Sequence, residues 1–285
     1  MGELIRFEDV TFTYAGGSQP SLKGVSAAFL EGEFVLISGP SGCGKSTLLR
    51  CMNGLVPHFY PGTLTGKVTV EGVNTVSADV SALSQRVGLV FSDPESQLVS
   101  STVEKEVSFG PGNLGLPVSE VRARTEWALE KVGISHLRRS QPSQLSGGEQ
   151  QKVAIASVLA LKPAVIALDE PTANLDPASA KELISTLALL NSQGSTIILV
   201  EHRLEMLAPY VSRVLLMSSG RIVLDALPES AFSNPILDEL GVEHPLYNAF
   251  LDTLHSMGVR ARSADGMTSL IANLEKGEYQ CDNLQ

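Results

Sequence analysis

Basic residues are scarce in this chain: 21 Lys and Arg stand against 31 Asp and Glu, a net charge of −10. Nucleic-acid binders ordinarily present a basic face, so the charge argues against that class, although a local patch stays compatible with it. Cysteine is nearly missing. Cys43, Cys51 and Cys281 are too few and too scattered for a disulfide framework or a zinc site, and a reducing compartment is the simple reading. No apolar run reaches the roughly 18 residues that would suggest a spanning helix. The start, MGELIRFEDV, carries acids where a signal peptide needs basic and then apolar residues. The expectation is a soluble chain that can dock on a membrane partner. No internal repeat or low-complexity tract stands out. Hydrophobic residues are plentiful, at 43% of 285, enough for one large domain or two medium ones.

The patterning is that of an α/β protein. LIRFEDVTFTY alternates apolar and polar residues and reads as a half-buried strand. VSAAFL and FVLISG read as strands separated by the turn Glu31, Gly32, Glu33. A helix is expected from near Lys45 to about Asn53, with Gly54 as its stop. KVTVEG and RVGLVF are strand-like. From about Glu95 to Ser143 there are helical patterns and loops but no convincing strand. In SEVRARTEWALEKVG, Val121, Ala128, Leu129 and Val132 fit one helical face and Gly133 fits the stop. The rhythm then resumes, with a helix over 149–161, buried strand AVIALD, a helix over 177–190 and buried strand STIILVEH. Apolar runs alternating with helices predict a largely parallel sheet covered on both faces. The last 60 or so residues read as mainly helical, with Leu246, Phe250, Leu254 and Met257 near one face of PLYNAFLDTLHSMG.

Two segments carry strong chemistry. GPSGCGKST, Gly39 to Thr47, follows an apolar strand and opens a helix, the context the G-x-x-x-x-G-K-[ST] pattern requires. Glycines let successive backbone N–H groups turn toward phosphate oxygens, and the helix N-terminus adds partial positive charge. Lys45 is expected to reach the β- and γ-phosphates, and the Ser46 hydroxyl to bind Mg²⁺. In VIALDE, four apolar residues deliver Asp169 and Glu170 to the end of a buried strand, where parallel sheets bind ligands. Asp169 is suited to hold Mg²⁺, directly or through water, and Glu170 to orient or activate an attacking water. Cys43 lies near a helix N-terminus that could lower its pKa, or is simply a small residue at a variable loop position. His202 follows another buried strand; by itself it reads as a surface or core histidine or as a phosphate contact. Arg122, Arg124, Arg138 and Arg139 read as a solvated face. LSGGEQ, residues 145–150, is a further glycine-rich helix start suited to gripping an anion, about 100 residues beyond a grip that is already complete.

The ordered set GPSGCGKST, LSGGEQQ, VIALDE, NLD and EH resembles the nucleotide-binding subunit of ABC transporters over about residues 3–225. The resemblance implies an ABC-type P-loop NTPase fold: α/β, a mainly parallel sheet core with an antiparallel β edge subdomain, an inserted helical subdomain at about 95–143, and a helical C-terminal extension. The ATPase domain would be 1–225 and the extension 226–285, a candidate dimerisation element. ATP and Mg²⁺ are the implied ligands. The positions matching the family's nucleotide contacts are Tyr14, stacking on adenine, and the loop Gly39, Pro40, Ser41, Gly42, Cys43, Gly44, Lys45, Ser46 and Thr47. Ser46, Asp169 and Ser92 fall at metal-holding positions, and Lys45, Glu170 and His202 at catalytic ones. For Tyr14, packing at a strand edge stays open. In the family the LSGGEQ segment closes over ATP held by a facing subunit, so Ser146, Gly147 and Gly148 look like a grip offered in trans. Asn174, Leu175 and Asp176 resemble the loop that crosses the dimer interface.

A narrower resemblance is carried by VFSDPESQLVSSTVEKEVSFGPGNLGL, TANLDP and VEHRLEML, which are similar to ATPases of energy-coupling factor (ECF) importers of vitamins and transition-metal ions. It implies a second ATPase subunit, identical or different, a transmembrane scaffold subunit and a small substrate-binding membrane subunit, at the cytoplasmic face of the membrane, and no nucleic acid. One position departs: the family's Q-loop Gln falls on Ser92, which keeps a hydroxyl but is shorter; a bridging water or Gln97 could cover its role, although Gln97 matches a separate family position. The alternatives are an ATPase of a conventional ABC importer or exporter, a soluble ABC ATPase acting on nucleic acid or ribosomes, and a non-hydrolysing regulatory subunit.

Overall fold

The computed structural model describes residues 2–245 together with residues 259–261 and 279–281. The chain opens with β1 (Glu3–Tyr14), β2 (Leu22–Leu30) and β3 (Phe34–Ser38), then α1 (Lys45–Met52) and the short α2 (Leu55–His58). β4 (Gly62–Val70), β5 (Val73–Asn74), α3 (Val80–Ser84) and β6 (Val87–Val90) follow. The helical segment holds α4 (Val103–Asn113) and α5 (Val118–Lys131). The α/β alternation returns with α6 (Gly147–Leu159), β7 (Val165–Asp169), α7 (Pro177–Ser192) and β8 (Thr196–Val200), then the hairpin β9 (Arg213–Ser218) and β10 (Arg221–Ala226). After it come α8 (Pro228–Phe232), α9 (Ile236–Leu240) and an antiparallel pair, β11 (Val259–Ala261) and β12 (Tyr279–Cys281).

Two sheets organise the described residues. One is antiparallel, ordered β2-β1-β4-β5; the other is ordered β10-β9-β3-β8-β7-β6, parallel except for its β9–β10 edge. Strand parity explains the continuous apolar runs of the central strands. Phe34, Leu36, Ile166, Leu168, Ile197 and Leu199 point into one core with α4, α5, α6 and α7. Val35, Ile37, Val165, Ala167, Ile198 and Val200 point into a second core, shared with α1 and the antiparallel sheet. With both faces covered, neither parity can be polar.

The structure corrects several expected boundaries. The strands on either side of the turn at 31–33 belong to different sheets. Alternation in β1 changes phase: Ile5 and Phe7 are buried, then Val10 and Phe12, across a register shift at Asp9, whose φ is 47°. One extra residue there flips the inward set from odd to even. The helix expected over 149–161 runs Gly147–Leu159, because Ser146 caps it two residues earlier, and the one expected to end at 190 continues to Ser192. The hairpin β9–β10 was not anticipated, and the short pair β11–β12 adds strand to a tail expected as mainly helical. The proposed apolar face of Leu246, Phe250, Leu254 and Met257 lies outside the described residues.

Candidate active site

The carboxyl ends of β3, β7 and β8, adjacent parallel strands, bring the candidate residues to one edge. Between β3 and α1 the chain passes through Gly39, Gly42 and Gly44 with φ of 141°, 74° and 110°. A Cβ on Gly39 would stand 2.1 Å from the Met217 carbonyl oxygen, and one on Gly44 2.4 Å from that of Ser21. Backbone conformation and crowding both demand glycine at these two positions. Pro40, Ser41, Gly42 and Cys43 complete the loop. Gly44 caps α1 with no side-chain hydrogen bond, and no acid stands in the first turn, so the orphan N–H groups there remain available to an anion.

Lys45 is buried, and its Nζ donates to the carbonyls of Gly39 (2.8 Å) and Pro40 (3.0 Å). Both partners are neutral, which leaves the charge available to phosphate oxygens. The Ser46 hydroxyl donates to Asp169 Oδ1 at 3.0 Å, placing a hydroxyl and a carboxylate side by side. Burial pushes the Asp169 carboxyl above its ordinary range, and neighbouring Glu170 adds to that, against the Ser46 hydrogen bond. A cation would relieve this strain on the charged form. Among the described residues no cluster of three or more His, Cys, Asp or Glu could hold a metal alone. The Ser46–Asp169 oxygen pair nevertheless suits Mg²⁺, which takes one or two protein oxygens and fills its shell from phosphates and water.

Glu170 turns out of β7 at φ 48°, a conformation uncommon outside glycine, and its N–H donates to the Val200 carbonyl at 2.9 Å. That turn brings its Oε1 to 3.1 Å from His202 Nε2. Tyr14 reaches the same region: its hydroxyl shares a hydrogen bond with Thr47 Oγ1 (3.0 Å) and accepts one from Arg50 (3.4 Å). The Tyr14 ring meets Phe12 and Tyr60 edge-on, beside the phosphate loop. Burial raises the Cys43 thiol above its usual pKa despite nearby Lys45, opposite to the lowering a helix N-terminus could have given.

Ser92 and Gly147 of the LSGGEQ segment, the signature segment of the resemblance, line one cavity. Ser92 is half-buried, and the cavity, of about 370 Å³, is also lined by Asp93, Gln150, Asn174 and Leu175. Gln97 is committed to backbone: its Oε1 accepts from Phe91 N–H (3.1 Å) and its amide donates to Leu89 (3.4 Å). Substituting for the missing Q-loop amide is therefore not what its side chain is placed to do. Ser146 caps α6 in a reciprocal box with Glu149. Its N–H and hydroxyl donate to Glu149 Oε2 at 2.9 and 2.8 Å, and these bonds hold the Glu149 carboxyl below the usual range. Gly147 and Gly148 abut Leu175 and Ser179. No hydrogen bond among the described residues links 146–148 to 39–47. Asp176 caps α7, its Oδ1 accepting from the N–H groups of Ala178 (3.0 Å) and Ser179 (3.1 Å).

Two residues without an assigned role belong to this picture. Arg50 stacks on Tyr60, with its guanidinium 4.6 Å from the ring centroid, and bonds Tyr14. Glu201 is buried at the end of β8. In sequence it is marked only as an acid that closes the apolar run Ile197 to Val200, which gives no sign of its partner.

Comparison with known proteins gives a consistent picture. The family model described as ABC transporter matches residues 22–173. A Pyrococcus abyssi protein named "Putative ABC transporter ATP-binding protein" is 42% identical over 275 residues, covering 96% of this chain and 98% of its own. Relatives in Methanosarcina mazei and Methanosarcina acetivorans are also 42% identical over 260 residues, but the chain spans only 44% and 40% of their length. Among solved structures, cbiO1 from Clostridium perfringens, described as part of the ABC transporter complex cbiONQ, is 32% identical with a TM-score of 0.75, covering 88% of this chain and 100% of its own. A dimeric ATP-binding cassette bound to ADP and Pi is 30% identical with a TM-score of 0.68, covering 79% of this chain and 99% of its own. The α/β architecture, with its antiparallel and parallel sheets, matches these neighbours.

Proposed function

The chain belongs to the ABC transporter family of ATP-binding proteins, and from that premise we propose that it hydrolyses ATP as one of two subunits that close around nucleotide and drive an importer of ECF type. The observation that carries this reading is the separation of the two grips. The phosphate loop sits at the sheet edge with Lys45, Ser46, Asp169, Glu170 and His202. The second grip, Ser146 to Gly148, makes no hydrogen bond to that loop among the described residues, and Ser146 and Gly147 are exposed. A phosphate grip with no contact to its own chain's loop supports the reading of a half-site offered to a partner.

The division of labour follows from the chemistry. Lys45 and the loop N–H groups bind and orient the phosphates. Ser46 and Asp169 would hold Mg²⁺, and Ser92, which no hydrogen bond ties to that pair, would contribute only through water; the ion would supply charge neutralisation at the phosphates. Glu170 orients or activates water for attack on the γ-phosphorus, and His202, hydrogen-bonded to Glu170, stands where it can contact the γ-phosphate. Tyr14 stacks on the base. Loss of the γ-phosphate removes the bridge between Lys45 of one subunit and Ser146 of the other, so the pair reopens.

The ECF assignment rests on the motifs around 90–116 and on likeness to cbiO1. It makes the partners a second ATPase subunit, identical or different, a membrane scaffold and a small membrane subunit that selects the vitamin or metal ion. It places the chain at the cytoplasmic face of the membrane. No described helix is long and apolar enough to cross a membrane.

Cysteines placed at Ser41 and Gly147 test the shared site. With ATP and the slowed variant Glu170→Gln, they are expected to crosslink separate molecules, self with self or with a companion chain; failure under every trapping condition would sink the proposal. Co-purification from membranes tests the ECF assignment. Recovery of a conventional permease pair in place of a scaffold and small membrane subunit would replace it.

A further inference from the structure

The last register pair between β7 and β8 is Asp169 with Val200. Beyond it a single backbone hydrogen bond, from the Glu170 N–H to the Val200 carbonyl at 2.9 Å, joins the two segments among the described residues, and the proposed catalytic pair, Glu170 and His202, sits one and two residues past the register pair. The side chain that takes over is Glu201. It is 3% exposed, in a place where a carboxylate is costly unless its oxygens are satisfied. They are satisfied across the gap. Oε1 accepts from the N–H (2.9 Å) and the hydroxyl (2.5 Å) of Thr172, itself fully buried. Oε2 accepts from the His202 N–H at 3.0 Å.

The neighbouring residues continue the connection. His202 meets Glu170 at 3.1 Å, and Arg203 donates to the Leu175 carbonyl at 3.4 Å. Three consecutive residues after β8 thus grasp three points of the turn after β7: Thr172, Glu170 and Leu175. That turn folds on itself as well, through Ala173 N–H to the Glu170 carbonyl and Leu175 N–H to that of Thr172. Of these contacts only the one made by Glu201 is buried and charge-assisted, so it is the strongest.

We propose that Glu201 is a positioning residue: through Thr172 and the His202 backbone it locks the turn after β7 to the segment after β8, and so fixes the His202 side chain against Glu170. This rests on the proposed hydrolytic function. Glu201 does not act on nucleotide itself, because it is buried and both its oxygens are engaged. Displacing either loop by an ångström would misplace the water-activating carboxylate without touching the phosphate loop, so the loss falls on turnover and not on binding.

The test uses the full chain, in complex with its partners where these are recovered. Glu201→Gln keeps shape but leaves one acceptor oxygen where the carboxylate has two, so in either amide orientation a donor NH2 faces the Thr172 hydrogens or the His202 N–H and the link between the two segments is broken on one side. It is expected to lower kcat about tenfold while ATP affinity stays within about twofold. Thr172→Val should fall by a similar factor, Thr172→Ser, which keeps N–H and hydroxyl, should recover wild-type turnover, and the double variant Glu201→Gln/Thr172→Val should be no worse than either single one. A crystal structure of the Glu201→Gln chain without nucleotide is the second readout, with the His202–Glu170 contact expected to open. Unchanged turnover with that contact intact overturns the proposal. So does equal loss of affinity and turnover with a lowered Tm, which a purely structural role would give. Should wild type neither bind nor hydrolyse ATP, the proposed function fails, and the crystal contact still decides the role of Glu201.

Discussion

Two helix N-termini in this molecule are built from similar residues and left in opposite states. Both α1 and α6 open on glycine and serine. At α1, Gly44 offers no capping side chain and no acid occupies the first turn; the positive end of the helix is unanswered, with the buried Lys45 ammonium beside it. At α6, Ser146 and Glu149 cap each other, and Glu149 stands in the first turn as a local counter-charge. The first end requires an anion to be electrostatically complete, whereas the second is complete by itself and can stand exposed. The difference teaches that a phosphate arriving at α6 adds to an already stable helix start. Such a grip can be weak until two surfaces meet, which suits a site that must open again.

Substitutions at the two ends should therefore fail differently, and the largest effect belongs to α1. Lys45→Ala removes the central cation and is expected to weaken ATP binding about 100-fold or more and abolish turnover. Gly147→Asp places a carboxylate where the partner's phosphate should arrive. It should leave ATP affinity of the dilute, separated chain within about twofold, yet cut turnover of the assembled pair about 100-fold. Fluorescent-nucleotide titration and steady-state hydrolysis check both. Equal loss of affinity in the two variants would break the comparison, since both ends would then serve one chain's nucleotide.

The contrast between the ends was only partly legible in the sequence. The phosphate loop and the VIALDE acids were readable because their spacing fixes their geometry: Lys45 and Ser46 start α1, and Asp169 ends β7. The central strands were readable because burial on both faces leaves no polar parity. The start of α6 was misplaced because two glycines weigh against helix, yet the spacing of Ser146 and Glu149 was the cap signal. The hairpin β9–β10 was missed although Ser219 and Gly220, with φ of 47° and 84°, form the positive-φ dipeptide that a tight hairpin favours. The phase change at Asp9 was illegible, since an aspartate in a strand gives no sign that it will bulge. Glu201 escaped for a related reason: one acid after an apolar run does not reveal that a distant Thr172 will bury it.

Ser92 sharpens the comparison from the side of the cleft it shares with Gly147. If Ser92 is merely a shortened Q-loop residue, Ser92→Gln restores a reach the family normally has. Turnover in the assembled complex should then be unchanged or raised by a few-fold at most, about 1 kcal/mol or less in the barrier. A large loss would assign Ser92 a specialised role. Measuring the same variant with and without membrane partners separates an effect on the nucleotide from one on coupling.

The smallest expected effect lies at Asp176, which caps α7 beside the signature end. Hydrogen bonds from Ser179 and Ala178 hold its carboxyl below the ordinary value. A lowered folded-state pKa means that its stabilising contribution is present above the unfolded carboxylate value, about 3.9, and is lost as pH falls through the folded one. Asn caps a helix about as well as Asp but cannot be protonated there. Asp176→Asn should therefore keep Tm near neutral pH while melting less steeply under acid than wild type, and Asp176→Ala should lower Tm at both ends of that range. Thermal melts between roughly pH 7 and pH 3 decide it. If Asn and Ala melt alike at neutral pH, capping α7 is not what Asp176 contributes. If Asn instead preserves Tm but weakens ATP-driven pairing, its charge works across the subunit boundary, and the self-sufficiency of the signature end stops at Glu149.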